Sequence, residues 1–87
     1  MENFSNIIKR FIITEKALRL AEKENKLTLL VELKANKNSI KNSLEKLYNV
    51  KVEKVNVIIT PKGEKKAIVK LIKEYNAMDL YSKLGLI

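Results

Sequence analysis

Apolar and polar residues alternate along three stretches of the chain, each about as long as a β-strand. In residues 26–34, the apolar side of the predicted half-buried strand consists of Leu27, Leu29, Val31 and Leu33. Residues 50–75 predict two further strands that are joined by a tight Pro-Lys-Gly turn. The alternation slips between Val52 and Val55, which predicts a β-bulge near Glu53.

Three other segments have the features of helices. Thr14 is the predicted N-cap of the first helix, which ends near Asn25. The second helix begins at Asn36 or Asn38, and its predicted buried face consists of Ile40, Leu44, Leu47 and Tyr48. The third is a short helix capped by Asn76 and closed by Gly85.

The predicted fold is therefore α+β, with the order α-β-α-β-β-α. A small antiparallel sheet has helices packed on one face and leaves the other face open. The open face mixes lysines with aliphatic residues, and its predicted members are Thr28, Leu30, Glu32, Lys34, Lys54, Asn56, Ile58, Thr60, Lys66, Ile68, Lys70 and Ile72. The chain of 87 residues is expected to form one domain, residues 1–87.

Composition excludes most catalytic sites. The chain has no Cys, no His and two Gly, so it lacks the commonest general base, the thiol nucleophile and any Gly-rich phosphate loop. An acyl-phosphate hydrolase on this scaffold would need a fixed arginine in an anion cradle. The only arginines are Arg10 and Arg19, and no glycine-rich loop accompanies them. We therefore expect no enzyme, no cofactor, no metal site and no small-molecule substrate.

The expected location of the protein rests on two further features that the sequence lacks. No apolar run approaches the roughly 20 residues that span a bilayer. The first residues, MENFSNIIKRFIITEK, lack the basic and apolar regions of a secretory signal. We expect a cytoplasmic protein.

The net charge of +8 is concentrated in the middle of the chain. Residues 34–70 carry ten basic and three acidic side chains, whereas residues 71–87 balance. A localised positive field is typical of nucleic-acid binding, although a lysine-rich solubilising surface has the same composition. Water alone would not favour so many aliphatic residues among the lysines of the open face. A partner with an anionic backbone and flat sugars and bases would.

Folded RNA is the nucleic acid that the open face fits best. The aromatic residues all lie outside the predicted strands: Phe4, Phe11, Tyr48, Tyr75 and Tyr81. The face therefore has no aromatic platform for single-stranded bases, and no helix has a set of side chains suited to a major groove. The predicted contacts with RNA are made by Lys34, Lys37, Lys54, Asn56, Lys62, Gly63, Lys65, Lys66 and Lys70. Lys37 begins a helix, where it either faces solvent or assists phosphate binding.

Four segments together resemble the universal large-ribosomal-subunit protein twenty-three family. They are TEKA (residues 14–17), KLTLLVEL (26–33), ANKNSIKNSLEKLYNVKVEKVNV (35–57) and KGEKKAIVKL (62–71). The resemblance extends from about Ile12 to Gly85, and one departure is Ile72, where the family has a small or polar residue. The short connection between the last two strands is similar to that of archaeal members, so the role of the long bacterial loop does not carry over.

The resemblance implies a structural role in the ribosome. Family members bind large-subunit ribosomal RNA, contact neighbouring ribosomal proteins and lie beside the polypeptide exit tunnel. There they dock the signal recognition particle, chaperones and the protein-conducting channel. Glu15 matches the family's docking glutamate, although a first-turn glutamate also favours the helix dipole.

A free-standing nucleic-acid or chromatin protein with the same basic face is the alternative. Such a protein would be expected to dimerise and to bind duplex DNA. The ribosomal interpretation instead predicts a monomer that is bound to RNA in the cytoplasm.

Overall fold

The computed structural model describes residues 7–87, which form a four-stranded sheet and three helices. The elements are β1 (Ile8–Phe11), α1 (Glu15–Glu24), β2 (Lys26–Val31), α2 (Lys37–Tyr48), β3 (Val52–Ile59), β4 (Lys65–Leu71) and α3 (Ala77–Lys83). Phe4 and the start of the segment considered for a secretory signal lie outside the described residues.

The sheet has the strand order β1-β2-β4-β3, and every neighbouring pair is antiparallel. This confirms the α+β class. The predicted order α-β-α-β-β-α lacked β1, which has only four residues and an irregular register between Ile8 and Arg10. So short a strand has no clear alternation of its own, and it forms because β2 offers an edge for pairing.

One hydrophobic core lies between the sheet and the helices. The core contains Leu27, Leu29 and Val31 of β2, and α2 contributes Ile40 and Leu44. Alternation also predicts inward residues on β3 and β4, and most of them belong to the core or pack against it: Val55, Val57, Ala67, Val69 and Leu71. The prediction was wrong for Ile59, which is 58% exposed because it is the last residue of β3 and lies beyond the core, opposite Lys65. Leu33 is 58% exposed because β2 ends at Val31, two residues earlier than the alternation indicated. Leu47 is 44% exposed, and the buried face of α2 turns instead toward Ser43. We call the side of the sheet that faces away from this core the outer face.

Side-chain caps begin all three helices. Thr14 Oγ1 accepts a hydrogen bond from the backbone N–H of Ala17 at 3.1 Å. Asn36, rather than Asn38, caps α2 in a reciprocal pair with Ser39. Asn76 Oδ1 accepts from the N–H of Asp79 at 2.9 Å. These caps confirm the predicted starts of the helices.

The bulge in β3 sets which residues of this strand face outward. Val52 pairs with Leu71, and Lys54 pairs with Lys70, so Glu53 is the extra residue. The bulge was predicted at this position. It brings Lys54 to the outer face while leaving Val52 in the core.

The side chain of Asn25 joins the end of α1 to the segment between β4 and α3. Its Nδ2 lies 2.8 Å from the carbonyl oxygen of Tyr75 and within 3.3 Å of those of Leu71 and Ile72. Its Oδ1 accepts from the N–H of Ala77 at 2.7 Å. Asn25 also has a left-handed backbone (φ 57°), so the same residue ends the helix and holds the two segments together.

Tyr81 provides a second link between distant segments. Its hydroxyl accepts from the N–H of Thr28 at 3.0 Å and lies 3.4 Å from the carbonyl oxygen of Ile12. Burial raises the pKa of Tyr81, so the phenol stays protonated and can donate to that carbonyl. These bonds fasten α3 to the sheet at the point where β1 ends.

We expect Asn25→Gly to destabilise the protein by about 2–3 kcal/mol, because several part-buried backbone groups lose a hydrogen-bond partner. Glycine keeps the left-handed backbone free of strain, so the loss reports the side chain alone. Urea unfolding measures it.

Asn49→Gly is the matched control. Asn49 also has a left-handed backbone (φ 54°), and it follows the end of α2. Its replacement should change the free energy of unfolding by less than about 0.5 kcal/mol. Equal losses for the two variants would show that backbone conformation, and not the side chain of Asn25, matters.

Candidate nucleic-acid interface

Three lysines lie side by side across the outer face. Lys26 of β2 pairs with Lys70 of β4, and Lys70 pairs with Lys54 of β3. We call Lys26, Lys70 and Lys54 the lysine row. Neighbouring strands are about 4.8 Å apart, so the row places three ammonium groups on a line about 10 Å long.

Two carboxylates offset part of this charge. Glu24 Oε1 lies 2.9 Å from Lys26 Nζ, and Glu53 Oε2 lies 3.8 Å from Lys70 Nζ. The hydrogen bond from Lys26 and its charge lower the pKa of Glu24, so this carboxylate stays ionised at neutral pH. Both glutamate side chains are 53% exposed, so water reaches both pairs and weakens them, and a polyanion can compete for these lysines.

A second cationic row lies nearer the other end of the strands. Lys66 of β4 pairs with Leu30 of β2, which pairs with Arg10 of β1. We call Lys66 and Arg10 the Lys66–Arg10 row. Leu30 was predicted to be open, but it is only 6% exposed. It lies between two long side chains whose aliphatic stems can cover it.

Thr28 was also predicted to be open, and it is only 3% exposed. Helix α1 lies beside this part of β2 because β1 has already ended there. Thr28 lines a cavity of about 130 Å³ together with residues of α1 (Lys16, Ala17 and Leu20) and with Lys66. The open part of the outer face is therefore narrower than predicted, and α1 forms one of its borders.

The outer face of the described residues has no aromatic side chain. Phe11 was predicted to lie outside the strands, yet it lies in β1. Its ring points inward, where it packs edge-to-face on Tyr48 (5.4 Å between centroids) and Tyr81 (6.0 Å). The conclusion that this face cannot stack unpaired bases is therefore unchanged.

Lys65 lies on the opposite side of β4 from Lys66. Its Nζ donates to the backbone carbonyls of Leu33 (3.2 Å) and Ala35, in the segment between β2 and α2. The ammonium therefore has protein partners that hold this segment against β4. Its predicted contact with phosphate stays a prediction.

The remaining predicted RNA contacts lie at two places. Lys54, Asn56, Lys66 and Lys70 belong to the outer face. The others lie at the end of the sheet where β2 ends and β4 begins, and they are exposed: Lys34, Lys37, Lys62 and Gly63. Gly63 has φ +83°, a conformation that favours glycine in this turn.

Sequence reasoning missed two cations of the two rows: Arg10 and Lys26. Arg10 belongs to the strand that was not predicted. Lys26 is the first residue of β2, and only the pairing with β4 places it beside Lys70. The alternation of residues 26–34 already assigned Lys26 the parity of Thr28 and Leu30, which was a usable signal.

Glu15 is the exposed first residue of α1. It lines a shallow concavity of about 430 Å³ along this helix, together with Arg19, Lys23 and other residues of α1. The concavity lies beside the border of the outer face, since Lys16 lines both it and the smaller cavity near Thr28.

Two kinds of feature are missing from residues 7–87. None of their helices is long and apolar enough to cross a membrane. These residues also contain no group of three or more His, Cys, Asp or Glu side chains suited to a metal ion.

We expect Lys70→Gln to stabilise the free protein by roughly 0.2–1 kcal/mol at low salt, because Lys70 lies between two other lysines. Urea unfolding at low and high salt measures the effect, which should shrink as salt screens the repulsion. Lys46→Gln, at an exposed site on α2, is the control and should bring no such gain. A loss of stability for Lys70→Gln at low salt would contradict net repulsion among the lysines of the row.

Known proteins identify the family. Residues 6–78 match the model of the family described as Ribosomal protein L23. The chain is 68% identical over 81 residues to the large ribosomal subunit protein uL23 of Pyrobaculum aerophilum, which covers 93% of this chain and 100% of the relative. It is 56% identical to the large ribosomal subunit protein uL23 of Caldivirga maquilingensis, over 93% of this chain and 94% of the relative. The chain belongs to the ribosomal protein L23 family.

Proposed function

We propose that this chain is a structural protein of the large ribosomal subunit and binds ribosomal RNA through the outer face of its sheet. The observation that carries the proposal is the lysine row, in which three cations are held directly opposite one another. Like charges in this arrangement oppose folding, and phosphate groups relieve the repulsion. The names of the two archaeal relatives place them in the large subunit.

The chain acts as one RNA-binding domain, residues 1–87, and works in the cytoplasm as part of the ribosome. Lys54, Asn56, Lys66 and Lys70 contact RNA from the outer face. A second contact lies at the end of the sheet and involves Lys34, Lys37, Lys62 and Gly63. Neighbouring ribosomal proteins are its protein partners, and the role is structural rather than enzymatic.

Glu15 is part of a docking site for targeting factors at the polypeptide exit tunnel. The signal recognition particle and the protein-conducting channel are the proposed partners. Glu15 is exposed, and its helix lies at the border of the outer face, where it covers Thr28. RNA bound to the sheet can therefore leave the concavity along α1 accessible. The position of Glu15 in the first turn also stabilises the helix, and the two roles are compatible.

Sedimentation of a lysate, followed by a high-salt wash, tests the ribosomal assignment. We expect the chain to migrate with the large subunit and to remain there through the wash, because many cooperating contacts hold it. A chain that runs free, or that runs with DNA, would contradict the proposal and favour a free-standing nucleic-acid-binding protein.

Charge reversal at Glu15 tests the docking site. We expect Glu15→Lys to leave incorporation into the large subunit unchanged and to weaken binding of the signal recognition particle by about ten-fold, since it places a like charge at a complementary contact. The affinity of purified ribosomes for the particle measures this effect.

Glu22→Lys is the matched control, because Glu22 is an exposed glutamate of the same helix that does not line the concavity. It should leave the affinity unchanged. If Glu15→Lys instead abolished incorporation, or if both variants weakened the affinity equally, the docking assignment would be wrong.

A further inference from the structure

We propose that the outer face binds double-helical RNA across its minor groove, with one row of cations on each of the two RNA backbones. This inference rests on the proposed RNA-binding function and names the form of RNA that the face accepts.

The two cationic rows run in the same direction across the strands. The lysine row spans β2, β4 and β3, and the Lys66–Arg10 row spans β4, β2 and β1. The two rows cross β4 at Lys66 and Lys70, which are four residues apart and therefore point to the same side of the sheet. Residues that are paired across strands also share a face, so the side chains of both rows leave the sheet on the same side. A ligand with two parallel lines of negative charge matches this arrangement.

The distance between the rows follows from the strand geometry. Lys66 and Lys70 are four residues apart on β4, which corresponds to about 13 Å along the strand. Each row is about 10 Å long, because it spans three neighbouring strands. The two lines of charge are thus too far apart for adjacent phosphates of one chain to fill both, and the two backbones of a double helix match them.

The residues between the rows are uncharged and shorter than lysine or arginine. Asn56 pairs with Ile68, which pairs with Thr28. Thr28 is buried and Ile68 is half-buried, whereas Asn56 is exposed. Asn56 is therefore the polar side chain of this middle row that can reach a ligand. Its carboxamide can both donate to and accept from a 2′-hydroxyl group.

An RNA double helix supplies the matching surface. Its minor groove is wide and shallow, and it presents 2′-hydroxyls between two phosphate backbones. The minor groove of B-form DNA is only about 6 Å wide, and its major groove is about 8.5 Å deep, beyond the reach of Asn56 and Ile68. A single strand would need aromatic stacking, which the outer face of the described residues does not offer.

Fluorescence anisotropy with three labelled probes tests the inference. The probes are a short RNA duplex, a DNA duplex of the same sequence and one RNA strand alone. The wild-type protein should bind the RNA duplex most tightly. Asn56→Ala should weaken RNA-duplex binding by about five-fold and leave DNA-duplex binding unchanged, because DNA lacks the 2′-hydroxyl.

Two charge variants separate the rows from general electrostatics. Lys70→Gln should reduce the slope of log affinity against log salt by about one unit with the RNA duplex, the share of one phosphate contact. Lys46→Gln, on α2 away from the outer face, should leave that slope unchanged. Urea unfolding of each variant shows whether it is folded.

The outcomes distinguish this inference from the proposed function. Equal or tighter binding of the single strand, or equal losses on RNA and DNA for Asn56→Ala, would overturn the minor-groove arrangement while leaving RNA binding in place. An equal change in slope for Lys46→Gln would also overturn it. If no RNA probe bound at any salt concentration and the chain were absent from the large subunit, the proposed function itself would fail.

Discussion

The hydrogen bonds of Asn25 are the constraint on which the rest of the structure depends. The residue ends α1, its amide binds the segment that follows β4, and its own carbonyl accepts from the N–H of Leu71 at 3.1 Å. These contacts fix the pairing of β2 with β4. A shift of one residue would exchange the two faces of β2, taking Leu27 and Leu29 out of the core. The same pairing places Lys26, the next residue, beside Lys70.

The core and the interface are therefore consequences of one register. The inner residues of β2 and β4 supply the apolar contacts that stabilise the fold. On the outer side, residues paired in the same sheet form two rows of cations whose like charges repel one another. A protein selected only for folding would not place lysines directly opposite each other on three strands. Such a departure from local rules is expected where a surface serves a partner.

The sequence predicted the parts of the fold that rest on local patterns. The inward residues of β2 and β4, the bulge at Glu53 and the three helix caps follow from alternation and side-chain chemistry near each site. β1 was missed because its pairing depends on a strand that lies fifteen residues away in the sequence. The exposure of Leu47 was missed because helical spacing cannot decide between two overlapping faces.

The candidate site was predicted less completely than the fold. Lysines on the outer side of β3 and β4 were found by parity, but Arg10 and Lys26 became part of the site only through pairing between strands. The carbonyl partners of Lys65 were beyond prediction, since they are thirty or more residues away in the sequence. The covering of Thr28 depends in the same way on where α1 packs.

Electron cryo-microscopy of the large subunit from cells that produce this protein tests the account most directly. The account predicts that the outer face lies against ribosomal RNA, with the lysine row and the Lys66–Arg10 row on the two backbones of one helix. Helix α1 should leave Glu15 accessible from solvent. An outer face that lies against protein or is open to solvent, with RNA on the helical side, would contradict it.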